Sequence, residues 1–136
     1  RLSQIATKNG FIEYFKKCNA CFLEANYDEN LLENGRYPLH LKNRIRGGQG
    51  HLSNKQALDL FTAHKSPAMS HLILSHLSKE NNTPELVQQL FTANATAVEI
   101  IVASRYEPTP VYTITTNELQ KQFSNKLPTP VQLGLF

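Results

Sequence analysis

The sequence predicts an α/β fold, and three observations carry that reading. Short apolar runs at residues 20–23, 70–75 and 97–103 have the length and residue types of buried strands. The stretches between them carry helical periodicity and helix-start signals. The composition, 40% hydrophobic and 18% charged without a low-complexity tract, is that of an ordinary globular chain. On this reading residues 1–116 form the folded unit and residues 117–136 a tail.

Each element follows from local signals. Phe11, Ile12, Tyr14 and Phe15, at mixed spacing, read as the end of an amphipathic helix. The run at 20–23 is a strand that ends on Glu24-Ala25-Asn26-Tyr27-Asp28. A carboxylate at the mouth of a buried strand is a common place for chemistry in layered α/β proteins. A short helix over residues 29–33 is expected to stop at Asn34-Gly35, and residues 39–45, after Pro38, read as a helix carrying basic residues. The glycine-rich stretch at 47–50 is a flexible turn that delivers His51. Ser53 and Gln56 form a capping box, opening a helix with the apolar stripe Ala57, Leu58, Leu60, Phe61 and Ala63.

The strand at 70–75 ends at His76. Asn82-Thr83-Pro84 starts another helix, with proline in its tolerated first turn and Leu86, Val87, Leu90 and Phe91 on its buried face. The run at 97–103 is strongly β-prone, and residues 111–115 read as a further strand after the turn between Pro108 and Pro110. From Asn117 the tail has room for one short helix, and Leu127-Pro128-Thr129-Pro130 reads as an extended linker.

A chain of 136 residues can bury a real core within one domain. No apolar run approaches the roughly 18 residues that a membrane span needs, and no signal peptide opens the chain, so the cytoplasm is the expected compartment. The net charge of +3 is too mild to argue for nucleic acid unaided. The sequence opens on Arg1 and its only methionine is Met69, so a native start is expected to be missing, as in a fragment or a processed chain. Cys18 and Cys21, a C-x-x-C pair, read first as packing residues. A redox pair or half a zinc site are the alternatives. No second pair supports zinc, and a redox motif would follow a strand rather than end a helix.

Three polar residues occupy strand mouths or the glycine turn: Glu24, His51 and His76. His71 and His76 lie five positions apart, so in a regular strand they face opposite sides and cannot serve one metal without a bulge. His76, at the end of the run, is the better ligand candidate, with His71 a strand-start residue.

Gly50-His51-Leu52-Ser53-Asn54, followed after a helix and a strand by His76-Leu77-Ser78-Lys79-Glu80-Asn81-Asn82, resembles the metallo-β-lactamase superfamily. The similarity is to its YycJ/WalJ branch, which carries G-H-L-S-N and H-L-S-x-E-N-N in this order. Residues 24–28 resemble that branch's E-S-N-x-D motif, and the likeness covers roughly residues 20–94. RNase Z shows a related pattern. The resemblance implies the C-terminal half of an αββα sandwich and hydrolysis of a phosphodiester with two divalent metal ions, zinc or manganese.

It also implies roles. His76 would be a metal ligand, His51 would approach the scissile phosphate, and Glu24 would orient that histidine. Asn26, Asp28, Asn54, Asn81 and Asn82 would support the ligands or fix loops. The H-x-H-x-D-H signature and the bridging aspartate of relatives are absent, so most ligands are expected from a segment upstream of residue 1. This chain alone is then expected to be inactive, the complete protein active, and the N-terminal half of the sandwich a required partner.

Two further features concern partners. Lys42, Arg44, Arg46 and Lys55 cluster near the presumed site and suit phosphate contacts, with a solvated helix face as the alternative. Gln132-Leu133-Gly134-Leu135-Phe136 resembles the bacterial clamp-binding pentapeptide, whose leucine and phenylalanine anchors fill an apolar groove. The resulting expectation is a DNA exonuclease docked on the sliding clamp through Gln132, Leu133, Leu135 and Phe136. RNA processing, hydrolysis of a small phosphodiester, or a metal-free binding module are the alternatives.

Overall fold

The structure, a computed structural model, describes residues 10–47 and 50–114. In chain order these contain α1 (Phe11–Phe15), β1 (Ala20–Glu24), α2 (Glu29–Asn34), α3 (Leu39–Ile45), α4 (Asn54–His64), β2 (His71–Ser75), α5 (Pro84–Thr92) and β3 (Glu99–Val102). The three strands pair in parallel in the order β1-β2-β3, which makes the chain α/β as the sequence indicates. Ala20 pairs with His71 and Glu24 with Ser75, while Leu74 pairs with Val102. The register therefore brings all three carboxyl ends to one edge of the sheet.

The chain steps in one direction from β1 to β2 to β3, so right-handed crossovers put the connecting helices on one face. That face holds the core. Leu23, Leu72 and Leu74 meet Phe15 of α1, Ala57, Leu60 and Phe61 of α4, and Val87 and Phe91 of α5. Phe61 and Phe91 are fully buried with ring centroids 5.9 Å apart. Phe22, Ile73 and Ile101 share the opposite face through the register. There Ile73 and Ile101 are buried, whereas Phe22 is 71% exposed.

The helix caps follow the sequence signals. Ser53 and Gln56 make both halves of the capping box, and Thr83 Oγ1 accepts from Leu86 N at the start of α5. Asp28 caps α2 by accepting from Asn30 N and Leu31 N. Gly35 ends α2 for a different reason than expected. Its backbone is extended rather than left-handed, and a Cβ there would lie 2.7 Å from the Leu31 carbonyl oxygen and 2.8 Å from Asn81 Oδ1. Close approach, not conformational freedom, demands the glycine.

Two boundaries need correction. The run at 97–103 shortens to Glu99–Val102, because Ala97 turns into the left-handed region at φ 58°. Residues 111–114 do not form the second strand that their β-branched content predicts, and Val111 is 97% exposed. Strand propensity alone does not make a strand, and this segment pairs with neither outer edge of the sheet. Tyr112 instead sets its ring against His71, with centroids 5.8 Å apart. Among the described residues no helix is long and apolar enough to cross a membrane. The tail, including Gln132, Leu133, Leu135 and Phe136, lies outside the described residues, as do Gly48 and Gln49 of the glycine turn.

Candidate active site

The sheet's carboxyl edge gathers the three motif segments, and Glu24 is their meeting point. It stands last on β1, and its Oε1 lies 2.7 Å from His51 Nδ1 and 2.7 Å from His76 Nδ1. The two imidazoles stand 4.9 Å apart at a steep 71° angle. An ionised carboxylate only accepts, so both Nδ1 atoms donate to it. That fixes one tautomer in each neutral ring and leaves the lone pair on Nε2. Neither Nε2 has a hydrogen-bond partner among the described residues.

Each histidine is delivered by a specific backbone device. His51 follows Gly50, and its N–H donates to the Ile45 carbonyl at the end of α3. A Cβ on Gly50 would run into the carbonyl oxygens of Arg44 and Ile45, so no other residue lets the turn pass that close. His76 follows β2 in the left-handed region at φ 60°. A β-carbon makes this conformation costly, about 1–2 kcal/mol. The turn breaks the strand's alternation just where the imidazole must swing toward Glu24. Asn26 Nδ2 holds it by donating to the His76 carbonyl oxygen at 2.6 Å.

Behind the histidines, buried asparagines tie the loops together. Asn54 and Asn82 exchange two amide hydrogen bonds, at 3.0 and 2.8 Å. Asn82 Nδ2 also reaches the Ala25 and Asn26 carbonyls, and its Oδ1 accepts from Thr83 N. Asn81 receives Asp28 N on its carbonyl and is itself held by Ser78 Oγ. Ser53 Oγ donates to Glu29 Oε1. No buried side-chain nitrogen or oxygen in the described region lacks a partner. These residues fix loops, and Asp28 is a helix cap.

Glu24, His51 and His76 offer ligand atoms that all lie within 4.8 Å of one another. Two imidazoles and a carboxylate are a donor set that suits zinc or manganese. Three donors fill part of the sphere of one ion, which takes about four or more, and do not hold two. As an alternative to the hydrogen bonds on Glu24, the triad could hold one divalent metal ion in part.

The histidines open onto a cleft of about 1310 Å³. Arg44, the only one of the four expected phosphate contacts on its lining, is joined there by Lys79 and Arg105. Lys42 instead donates to the Glu33 carbonyl, and Arg46 pairs with the Glu33 carboxylate at 2.8 Å. Lys55, in the first turn of α4, is not on the lining. Sequence reasoning missed Lys79 and Arg105. Lys79 stood inside the quoted H-L-S-K-E-N-N stretch, and Arg105 follows the third strand at the same sheet edge, a position that parallel topology marks for ligands.

The cysteines do not join the site. Cys18 Sγ donates to the Tyr14 carbonyl and Cys21 Sγ to the Phe22 carbonyl. Burial, with Cys18 nearby, pushes the Cys21 thiol up to about 11, opposite to what a reactive thiolate needs.

No family model matches the chain, and no solved structure matches it. Over 73 residues it is 37% identical to a Bacillus anthracis protein named exodeoxyribonuclease YycJ, covering 54% of this chain and 28% of that relative. Over 64 residues it is 41% identical to exodeoxyribonuclease WalJ of Streptococcus pneumoniae strain D39, covering 47% of this chain and 24% of the relative. The matched stretches thus span about a quarter of those relatives' length. This chain is a partial homologue of proteins named as exodeoxyribonucleases.

Proposed function

We propose that this chain carries part of the active site of a metal-dependent phosphodiesterase that acts on DNA as an exonuclease. The observation that carries the reading is the convergence of His51 and His76 on Glu24, with both histidines on the lining of a cleft that also bears Arg44, Lys79 and Arg105. Partial homology to proteins named exodeoxyribonuclease supports it. On this reading the fold is half of a metallo-β-lactamase sandwich. The missing half would cover the face that bears exposed Phe22 and supply the remaining ligands.

His76 would hold the metal through Nε2, with Glu24 behind it raising the ring's basicity. When bound, a divalent ion polarises a phosphoryl oxygen as a Lewis acid. His51 would use its Nε2 to hold a proton for the departing oxygen, with Glu24 stabilising the charged ring. Arg44, Lys79 and Arg105 would place the phosphodiester. The tail peptide Gln132-Leu133-Gly134-Leu135-Phe136 would recruit the enzyme to the sliding clamp, and deleting residues 132–136 should abolish clamp binding. Unchanged binding would end that part of the proposal.

The test is cleavage of end-labelled DNA by the complete protein with added manganese or zinc. His51→Ala should lower turnover by about 100-fold or more while sparing metal content. His76→Ala should lower both. Equal metal loss in the two variants would mean that the roles are misassigned, a pointed risk because both rings approach Glu24 at the same distance. Strong preference for matched RNA would move the assignment to RNA processing. A folded protein that takes up no metal would favour a binding module.

A further inference from the structure

The cleft holds more than a hydrolytic floor. Arg44, Lys79 and Arg105 line it from three separate segments, and no aspartate or glutamate does, in a chain with 14 basic and 11 acidic residues. Arg44 and Lys79 make no ion pair among the described residues. Two tyrosines, Tyr37 and Tyr106, also stand on the lining. Tyr106 is 79% exposed, yet it sits on a built turn: Ser104 Oγ accepts from both Tyr106 N and Glu107 N. Beside it, the Arg105 guanidinium donates to the Leu77 carbonyl, next to His76. Ala103 N donates to the Leu74 carbonyl, so the turn continues directly from the sheet. The Tyr106 ring is thus exposed on the lining of the cleft, on a turn fixed by hydrogen bonds.

Cations that track a phosphate backbone, alternating with aromatic rings on which bases lie, form the recognition pattern of single strands. A duplex offers the same phosphates but keeps its base faces stacked on each other, so the tyrosines gain little from it. Resting on the phosphodiesterase reading above, we infer that the cleft takes an unpaired single-stranded end of the polynucleotide. Its phosphates lie on Arg44, Lys79 and Arg105, with a base stacked on Tyr106. Arg105 and Tyr106 are positioning residues that place the strand over His51 and His76.

The experiment is fluorescence anisotropy with a labelled single-stranded oligonucleotide and the matching blunt duplex, run on the complete protein without added metal. The single strand should bind about tenfold more tightly or better. Tyr106→Ala should weaken it by about tenfold, and Tyr106→Phe, which keeps the ring, should restore it. Arg105→Ala should reduce the slope of log K against log salt by about 0.7, since one phosphate contact is lost. Lys16→Ala, the same charge removed from α1, should do neither. Equal affinity for strand and duplex, or a Tyr106→Ala variant that binds like the parent, overturns the inference. Hydrolysis is read separately. A protein that cuts DNA with no dependence on Tyr106 refutes the groove alone, and one that binds through Tyr106 but cleaves no phosphodiester refutes the function alone.

Discussion

Strand β2 carries a histidine at each end, and the two have opposite fates. His71, at the amino end, has a side chain only 13% exposed, and both ring nitrogens are engaged: Nδ1 with Ser70 Oγ at 2.8 Å, Nε2 with Glu99 at 3.3 Å. His76, just past the carboxyl end, has a side chain 64% exposed, with Nδ1 on Glu24 and Nε2 free of any partner among the described residues. Both have a carboxylate. What separates them is the second nitrogen. A histidine whose two nitrogens are used holds structure together, whereas one anchored at a single nitrogen presents a lone pair to whatever enters the cleft.

The largest effect should therefore appear when the two are replaced in turn. A metal ion at about 100 times its Kd should stabilise the complete protein by about 2.7 kcal/mol in thermal denaturation. His76→Ala should erase most of that shift, and His71→Ala should keep it while lowering the metal-free stability. A His76→Ala variant that still responds fully to metal would erase the distinction between the two ends of the strand.

The next effect concerns what holds His76 in place. Asn82 ties the Glu24 loop, the His51 loop and the start of α5 through one buried amide. Asn82→Ala leaves buried partners unsatisfied and should cost about 2 kcal/mol by urea denaturation. Ser70→Ala, at the amino end, should cost under about 1 kcal/mol, since it removes one hydroxyl at a half-buried position. Comparable losses at the two ends would mean that the asparagine lattice is not the stronger support.

Much of this was legible in the residues. The apolar runs place β1, β2 and β3, and the capping box and Thr83-Pro84 place α4 and α5 within a residue or two. Odd spacing also separates His71 from His76, although by assuming a regular strand it gives no hint of the left-handed turn at His76. Periodicity describes what repeats, and a single φ of 60° does not repeat. The meeting of both histidines on one Glu24 oxygen was not legible either, because it depends on register. The same holds for the basic residues. Lys42 and Arg46 look equivalent to Arg44 in sequence, but their neighbour Glu33 captures them. Residues 111–114 show the converse, strand propensity that the tertiary context leaves unused.

The smallest expected effect sharpens the comparison most, because among the described residues the two edges of the sheet each hold one non-glycine residue at positive φ: His76 at 60° on the carboxyl side and Ala97 at 58° on the amino side. Glycine adopts this conformation without the β-carbon penalty, so each substitution should recover about 1 kcal/mol relative to alanine at the same site. Ala97→Gly should then be more stable than the parent by about that amount, with metal response and turnover unchanged. His76→Gly should be about 1 kcal/mol more stable than His76→Ala, and both should lack the metal response. If glycine helps at both positions while only one replacement costs function, the strain at Ala97 is incidental, and the strain at His76 is what it takes to turn an imidazole out of a strand and onto Glu24. If glycine and alanine at position 76 prove equally stable, the turn relaxes once the imidazole is gone. The left-handed backbone would then be a consequence of the Glu24 contact rather than a property built into the chain.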